Sequence, residues 1–285
     1  MYRNLLKKIE SERATYSKGQ KAIADFFLEN YDKAAYMTAA AVGKQVSVSE
    51  STVVRFATEL GFKGYPELQR ALRELVRVNL NSVQRMQLTN TIIGEGETLE
   101  KVLAADMEKI EKTLEEIDKN AFKRSVDKII NAKNVYIIGA RSSAFLASFL
   151  EYNMRLVLDN VKLVQTNTGG EVFEQLLTVT EEDVVFAISF PRYSTRVING
   201  VKFAKDKGAQ IIAMTDGAGS PLAVDADELL IARSDMISFM DSLCAPLAIL
   251  NAILVDIVRK KQDECSVRLQ QLEEIWDKYN VYDKN

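Results

Sequence analysis

The residues with most capacity for chemistry in this chain are hydroxyls and guanidiniums gathered where the chain passes into a helix. In the second half, the run NVYIIGA ends in Gly139, Ala140 and Arg141 and is followed by Ser142 and Ser143. The run DVVFAIS ends at Ser189, and Phe190, Pro191, Arg192, Tyr193, Ser194 and Thr195 follow it. A strand, a tight turn and a helix start make an anion site, because unpaired N–H groups and the positive helix end face the turn. Ser142 serves equally well there as an ordinary N-cap. The second loop adds Ser194 and Thr195 hydroxyls and the Arg192 cation. In an open α/β sheet, ligands bind at the carboxyl ends of strands where the strand order reverses, so two such loops together would form one phosphate-sized pocket. Arg141 and Arg192 suit a carboxylate or a phosphonate equally well.

A second constellation lies near the N-terminus, in AAAVGKQVSVSESTVVRFATELGF. It fits a helix, a tight turn and a second helix: Gly43 sits in the first, Val48 is the apolar residue of the turn, and Val53, Phe56 or Ala57, and Leu60 make a buried face. The opposite face offers Ser51, Thr52, Arg55 and Glu59. Hydroxyls and a guanidinium early in such a helix are what a major-groove reader needs, with Arg55 set for a base or phosphate and Ser49 at the helix start for a phosphate. Lys44, Lys63 and Arg70 are placed to meet the DNA backbone. A generic helical hairpin with a solvated Arg55 fits the local pattern as well.

Other chemistry is excluded by composition. The 285 residues include no histidine, which removes Ser-His-Asp and Cys-His nucleophiles and His-bearing zinc sites. Cys244 and Cys265 are isolated, with no C-x-x-C spacing, and are expected reduced and structural. No catalytic residues, metal or cofactor are expected. Aldose–ketose isomerisation would need a base between neighbouring carbons. Glu171 and Glu174, after Gly169-Gly170, are the carboxylates available for it, and each serves as well as a helix N-terminal charge. The formal charge of -3 is uneven: residues 1–80 carry 13 Lys+Arg against 9 Asp+Glu, hence +4, leaving 24 against 31, hence -7. The first part is the one that could approach a polyanion. No run reaches the roughly 18 to 20 apolar residues that span a bilayer, and the opening lacks the apolar core of a signal peptide, so a cytoplasmic protein without membrane contact is expected.

These residues require two kinds of scaffold. Up to about residue 77 the pattern predicts short helices: Gln20 to Asn30, Thr38 to Val46, Glu50 to Leu60 behind a Ser49 cap and a Gly61 stop, then one with Pro66 in its first turn. Residues 78–121 read as a polar linker containing Gly94 and Gly96, then a charged helix with a stripe of Met107, Ile110, Leu114 and Ile117. From Lys133 onward NVYIIGA, VKLVQTN, DVVFAIS, AQIIAMTD and ADELLIA alternate with amphipathic intervals. Near-continuous β-branched runs of this kind predict a buried parallel sheet of flavodoxin-like type, flanked by helices, over residues 122–262. A helical tail, 263–285, carries Leu269, Leu272, Ile275 and Trp276. Both stripes are assembly surfaces or pack on their own domain.

The segment SVSESTVVRFATELGFKGYPELQRAL resembles the N-terminal helix-turn-helix of the RpiR family of bacterial regulators, over about Leu5 to Leu75. Residues from about Phe122 to Lys261, with TDGAGSPLA carrying Ser220 and Pro221, are similar to the sugar-isomerase (SIS) domain. In the RpiR family that domain commonly senses a phosphorylated sugar. The resemblance maps phosphate-contacting hydroxyls onto Ser142, Ser143, Ser189, Ser194 and Thr195. The second loop departs from the usual S-x-S-G-x-T: it reads SFPRYS, without the glycine that lets amides approach a phosphate, which shifts weight to Arg192.

The resemblance thus implies a transcription regulator that binds a double-stranded DNA operator under control of a small anionic metabolite, a sugar phosphate above all. It would work as a homodimer or homotetramer, since a palindrome is read by a symmetric protein. The alternative is a sugar-phosphate isomerase with an accessory helical domain.

Overall fold

The computed structural model describes residues 5–79, 81–89, 93 and 97–283; Gly94 and Gly96 of the expected linker lie outside them. The chain divides into two compact units, Met1–Ala104 with Asp235–Asp241, and Ala105–Ser234 with Ser242–Asn285.

The first unit is helical: α1 (Leu5–Glu12), α2 (Lys18–Ala34), α3 (Ala39–Gln45), α4 (Glu50–Glu59), α5 (Tyr65–Asn79) and α6 (Ser82–Gln87). Side chains set the starts. Ser17 and Gln20 form a capping box before α2, Thr38 accepts from Ala41 N before α3, and Ser49 accepts from Thr52 N before α4. Ile23, Phe27, Val42, Val53, Phe56, Leu68 and Leu72 are fully buried, with Tyr16 edge-on to Phe56 at 5.1 Å between ring centroids. The Tyr65 hydroxyl donates to Met37 O at 2.9 Å, and burial pushes its pKa up to about 12. Helix α6 was not foreseen within the polar linker. It rests on an Asn81 capping box and on Arg85, a charged residue only 1% exposed, which donates to Asp241 Oδ1 at 3.0 Å. A partner 156 residues away leaves no local sequence signal.

In the second unit, α7 (Thr98–Glu116), whose last two thirds belong here, and α8 (Lys119–Asn131) precede a sheet of β1 (Val135–Gly139), β2 (Val161–Val164), β3 (Val184–Ile188), β4 (Gln210–Thr215) and β5 (Glu228–Ile231). The order is β2-β1-β3-β4-β5, all parallel, the flavodoxin-like arrangement. Every residue of β1 and β3 is buried, which is why both read as unbroken apolar runs. Ile137, Phe186, Ile212 and Met214 face one layer, with α8, α9 (Ser142–Arg155) and α12 (Cys244–Lys260). Ile138, Val185, Ala187 and Ile211 face the other, with α10 (Gly169–Gln175) and α11 (Thr195–Asp206). A tail helix, α13 (Gln262–Lys278), buries only Cys265.

The α7 stripe lies open: Met107 is 66% exposed, Ile110 and Leu114 are exposed too, and the helix buries Lys109 and Thr113 instead. In the tail, Ile275 is exposed and Leu269, Leu272 and Trp276 are half-buried. Both cysteines are free; Cys265 is buried and Cys244 is exposed. Among the described residues no helix is long and apolar enough to cross a membrane.

Buried Asp183 ties the feet of β1 and β3 together. Its carboxylate accepts from Asn134 Nδ2 at 2.7 Å, Thr180 N at 2.8 Å and Thr180 Oγ1 at 3.0 Å. Burial alone would raise its pKa, but these hydrogen bonds outweigh it and hold the carboxyl below its usual range. The stabilisation is therefore complete above the ordinary carboxylate pKa of about 3.9 and is lost as pH falls through the lowered native value. Asp183→Asn should reduce unfolding free energy at pH 7 by about 1 to 3 kcal/mol, with the gap to the parent closing in acid; equal denaturant midpoints at pH 7 would contradict it.

A candidate DNA-reading helix and an anion pocket

Helices α3 and α4 meet at a turn that depends on two backbone features. A Cβ on Gly43 would lie 2.8 Å from Val48 O, so only glycine lets α3 approach the turn this closely. Val48 N closes the turn by donating to Gly43 O at 2.8 Å, with Ser47 in the left-handed region at φ 57°. Val53, Phe56, Ala57 and Leu60 then face the core, and Ser51, Arg55 and Glu59 are exposed, with Thr52 half-buried. Ser49 Oγ lies 2.9 Å from Ser51 Oγ and 2.8 Å from Thr52 Oγ1, a cluster of three hydroxyls at the start of α4. Arg55 Nε donates to Ser51 O at 3.3 Å, leaving the side chain lying along the exposed face. Lys44, in the last turn of α3, is exposed, as are Lys63 and Arg70.

The anion pocket follows from the sheet order. The path runs outward from β1 to β2 and then returns to β3 on the other side of β1, so the loops after β1 and β3 spring from neighbouring strand ends, where Gly139 pairs with Ile188. A Cβ on Gly139 would sit 2.5 Å from Ser143 O; its absence lets α9 start directly against the strand. Between the loops lies a cavity of about 320 Å³, lined by Ala140, Arg141, Thr166, Arg192, Tyr193, Ser194, Thr195 and Arg196. That is the size class of small-metabolite sites.

Of the seven residues expected here, Arg141, Arg192, Ser194 and Thr195 line the cavity. Ser142 is exposed at the first position of α9, outside the lining, and the residue before the helix is Arg141, whose side chain does not cap it. Ser143 and Ser189 are buried; Ser189 Oγ accepts from Ser194 N at 3.3 Å and so shapes the loop from beneath. Ser220 is likewise internal, bonded to Thr215 Oγ1 at 2.8 Å. Thr166 and Arg196 were missed. Arg196 Nη1 donates to Thr166 O at 2.6 Å and Asn167 O at 2.8 Å, while Thr166 Oγ1 donates to Gly139 O at 3.2 Å. Together they tie the loop after β2 to the other two, a link that only the strand order creates.

Two details give this cavity its character. Ser194 precedes α11 without capping it, so its hydroxyl is not spent on the helix. Arg141 and Arg192 both have left-handed backbone, at φ 58° and 61°, and Arg141 has ψ -125°, a combination natural to glycine. Arg192 falls where the S-x-S-G-x-T pattern places its glycine. The loop therefore keeps glycine's backbone path while carrying a guanidinium, at a cost of about 1 to 3 kcal/mol per strained residue. Of its bulky neighbours, Phe190 turns into the core and Tyr193 donates to Asp216 Oδ1 at 2.9 Å. Glu171 and Glu174 are not among the lining residues; Glu171 stands in the first turn of α10. Partial desolvation of the sulfur and the Asp106 carboxylate, 3.2 Å from Sγ, push the Cys244 thiol pKa above its usual value. The described residues hold no cluster of His, Cys, Asp and Glu suited to a metal.

Comparison with known proteins agrees with this two-part layout. Residues 3–77 match the model of the helix-turn-helix domain, rpiR family, and residues 128–256 match the SIS domain. The chain is 26% identical over 265 residues to the uncharacterized HTH-type transcriptional regulator CPE0189 of Clostridium perfringens, covering 91% of this chain and 94% of that one. It is 27% identical over 232 residues to the HTH-type transcriptional regulator HexR of Escherichia coli, 78% of this chain and 75% of that one. Among solved structures, the Vibrio vulnificus NanR protein complexed with ManNAc-6P superposes with a TM-score of 0.61 at 20% identity, covering 99% of this chain and all of that one. The sugar isomerase domain of an RpiR transcription factor from Sphaerobacter thermophilus gives 0.60 at 23% identity over 63% and 99%. These two likenesses establish the fold.

If Arg141 is strained as described, Arg141→Gly should raise stability, since relief of about 1 to 3 kcal/mol exceeds the roughly 0.4 to 1 kcal/mol that glycine adds to unfolded-chain entropy. A lower melting temperature for the variant would contradict a strained arginine.

Proposed function

The chain belongs to the RpiR family of transcription regulators, a helix-turn-helix joined to a SIS domain, and from that premise we propose that an anionic metabolite, a phosphorylated sugar, sets its affinity for a DNA operator. The observation that carries this is the cavity at the β1/β3 reversal: Arg141, Arg192 and Arg196 with the Ser194 and Thr195 hydroxyls, and no carboxylate in the lining. Anions are favoured there by charge, by fixed donors and by the amino end of α11. The NanR complex with ManNAc-6P supports a phosphosugar on this fold. An isomerase would need a base against the sugar carbons, and the lining offers none, so the SIS domain senses rather than converts.

In this reading α4 enters the major groove. Arg55 with Ser51 and Thr52 reads base edges, Ser49 meets a phosphate at the helix start, and Lys44 and Lys63 hold the backbone. The operator-reading domain is residues 1–77, the sensor 122–262, and the protein acts in the cytoplasm as a symmetric oligomer. The open α7 stripe supports assembly: Ile110, Leu114 and Ile117 border an apolar groove of about 290 Å³ floored by Ala245, Ala248 and Ala252. Such a ridge beside such a groove allows two copies to interlock about a two-fold axis. Ligand binding shifts the packing of the pair and with it the spacing of the two α4 helices.

Arg55→Ala should cost about 1 to 3 kcal/mol in specific operator binding, read by fluorescence anisotropy; unchanged affinity and sequence preference would remove Arg55 from base reading. Replacing Ser194 with Trp and Thr195 with Val should leave operator binding intact and abolish the response to phosphosugars. A normal response would put the sensor elsewhere.

A further inference from the structure

The chain passes between the two compact units three times, at 104/105, 234/235 and 241/242. The first passage lies inside α7. The other two bracket residues 235–241, a strap that the chain enters after β5 and leaves into α12, yet that belongs to the helical unit. Its burial shows that it is built in. Met236 is 4% exposed and shares the helical core with Leu88, Phe56 and Leu60. Buried Arg85 donates through Nη1 to Asp241 Oδ1 at 3.0 Å, Thr89 Oγ1 and Ser238 Oγ lie 2.7 Å apart, and Met236 bridges Asp241 in antiparallel fashion, closing the strap on itself.

Both roots of the strap are fixed to α7 within the sheet unit. Arg233 N donates to Thr113 Oγ1 at 2.9 Å and its guanidinium to Glu116 at 2.6 Å, while Ser242 Oγ donates to Asp106 Oδ1 at 2.7 Å. Asp106 and Thr113 stand about two turns apart on one face of that helix. The second root also continues the packing that begins at the anion pocket. Helix α9 starts at the Arg141 rim, and its Leu146, Ala147 and Leu150 share a core with Ile249, Leu250 and Ile253 of α12, which begins just after Ser242.

Accepting that the pocket takes a phosphorylated sugar, we propose that the 235–241 strap is the coupling device of this protein: a rearrangement at the pocket rim reaches α12 and the strap root, and the strap carries it to α6 and to the core behind α4. A solvated surface loop would absorb such a movement. This one cannot slip freely, because sliding it would withdraw Met236 from the core and leave the Arg85 charge buried without Asp241. Arg85, Asp241 and Met236 are positioning residues in this scheme, and they touch neither the pocket lining nor the exposed face of α4.

The test compares the full chain with its Asp241→Asn and Met236→Ala variants, using the duplex that the parent selects from a random library. The probe is whichever of ribose 5-phosphate, glucose 6-phosphate, 6-phosphogluconate and N-acetylmannosamine 6-phosphate shifts the parent's duplex affinity most. In both variants the amides of α6 and of 235–241 should exchange at least about tenfold faster, with β1 and β3 unchanged. Affinity for the probe, and for the duplex without it, should stay within about threefold of the parent, while the probe's effect on duplex affinity falls to under about twofold. A variant whose strap amides exchange faster but whose duplex affinity answers the probe as the parent's does overturns the inference, as do strap amides that exchange no faster in either variant. Loss of probe binding or of probe-free duplex binding in both variants makes the strap a brace and overturns it too; each of these results leaves the phosphosugar sensor standing. If none of the four compounds shifts the parent's duplex affinity, the sensor reading falls and this inference with it.

Discussion

The second unit is organised by one constraint: β1 pairs in parallel with both β2 and β3. A parallel connection must cross over by a helix, and the crossover after β1, toward β2, and the crossover after β3, toward β4, depart in opposite directions and open a gap between the carboxyl ends of β1 and β3. Everything at the site follows from that gap. Gly139 lets α9 begin against the strand, Ser189 braces the second loop from below, and Arg196 ties in the loop after β2. Arg141 and Arg192 stand on the two rims in backbone conformations that local preference disfavours. Such strain persists only where surrounding structure over-determines it, and here the sheet, the two helices and the buried Phe190 do so.

The first unit solves a comparable problem with less material. The Gly43 contact with the turn fixes α3 against α4 without using any side chain of the exposed face of α4. Phe56 anchors the inner face between Tyr16 and Phe27, so α4 is gripped over its middle turns. Ser49 at its cap, Ser51 and Thr52 in its first turn and Arg55 in its second lie outside that grip.

Much of this was legible in the sequence because the signals are local. Ser49 and Thr38 caps, the Gly61 stop and the apolar spacing of α4 announce the helices, and the unbroken Val/Ile runs announce strands buried on both faces. The hydroxyls and arginines of the two loops could be nominated because strand and helix patterns abut there. What the sequence left open depends on long-range geometry. Thr166 joins the site only through the pairing of β2 with β1, whereas Arg196 directly follows Thr195 on the same helix start. Helix α6 hangs on an ion pair with Asp241, far along the chain. Ser142 and Ser143 sit side by side in sequence, yet one is exposed outside the cavity and the other buried, because a helix turns its residues by about 100° per step. The left-handed arginines had no sequence signal except the missing glycine of the second loop.

The central claim is that one anion pocket governs DNA affinity. It is tested most directly by selecting the preferred duplex from a random library with the full chain, then measuring binding to that duplex at fixed salt while titrating a panel of phosphosugars and phosphosugar acids. The account predicts specific binding whose affinity shifts saturably with one class of phosphorylated ligand and not with its dephosphorylated counterpart. A chain that selects no duplex, or that binds it with the same affinity at every concentration of every phosphorylated compound, would contradict the account.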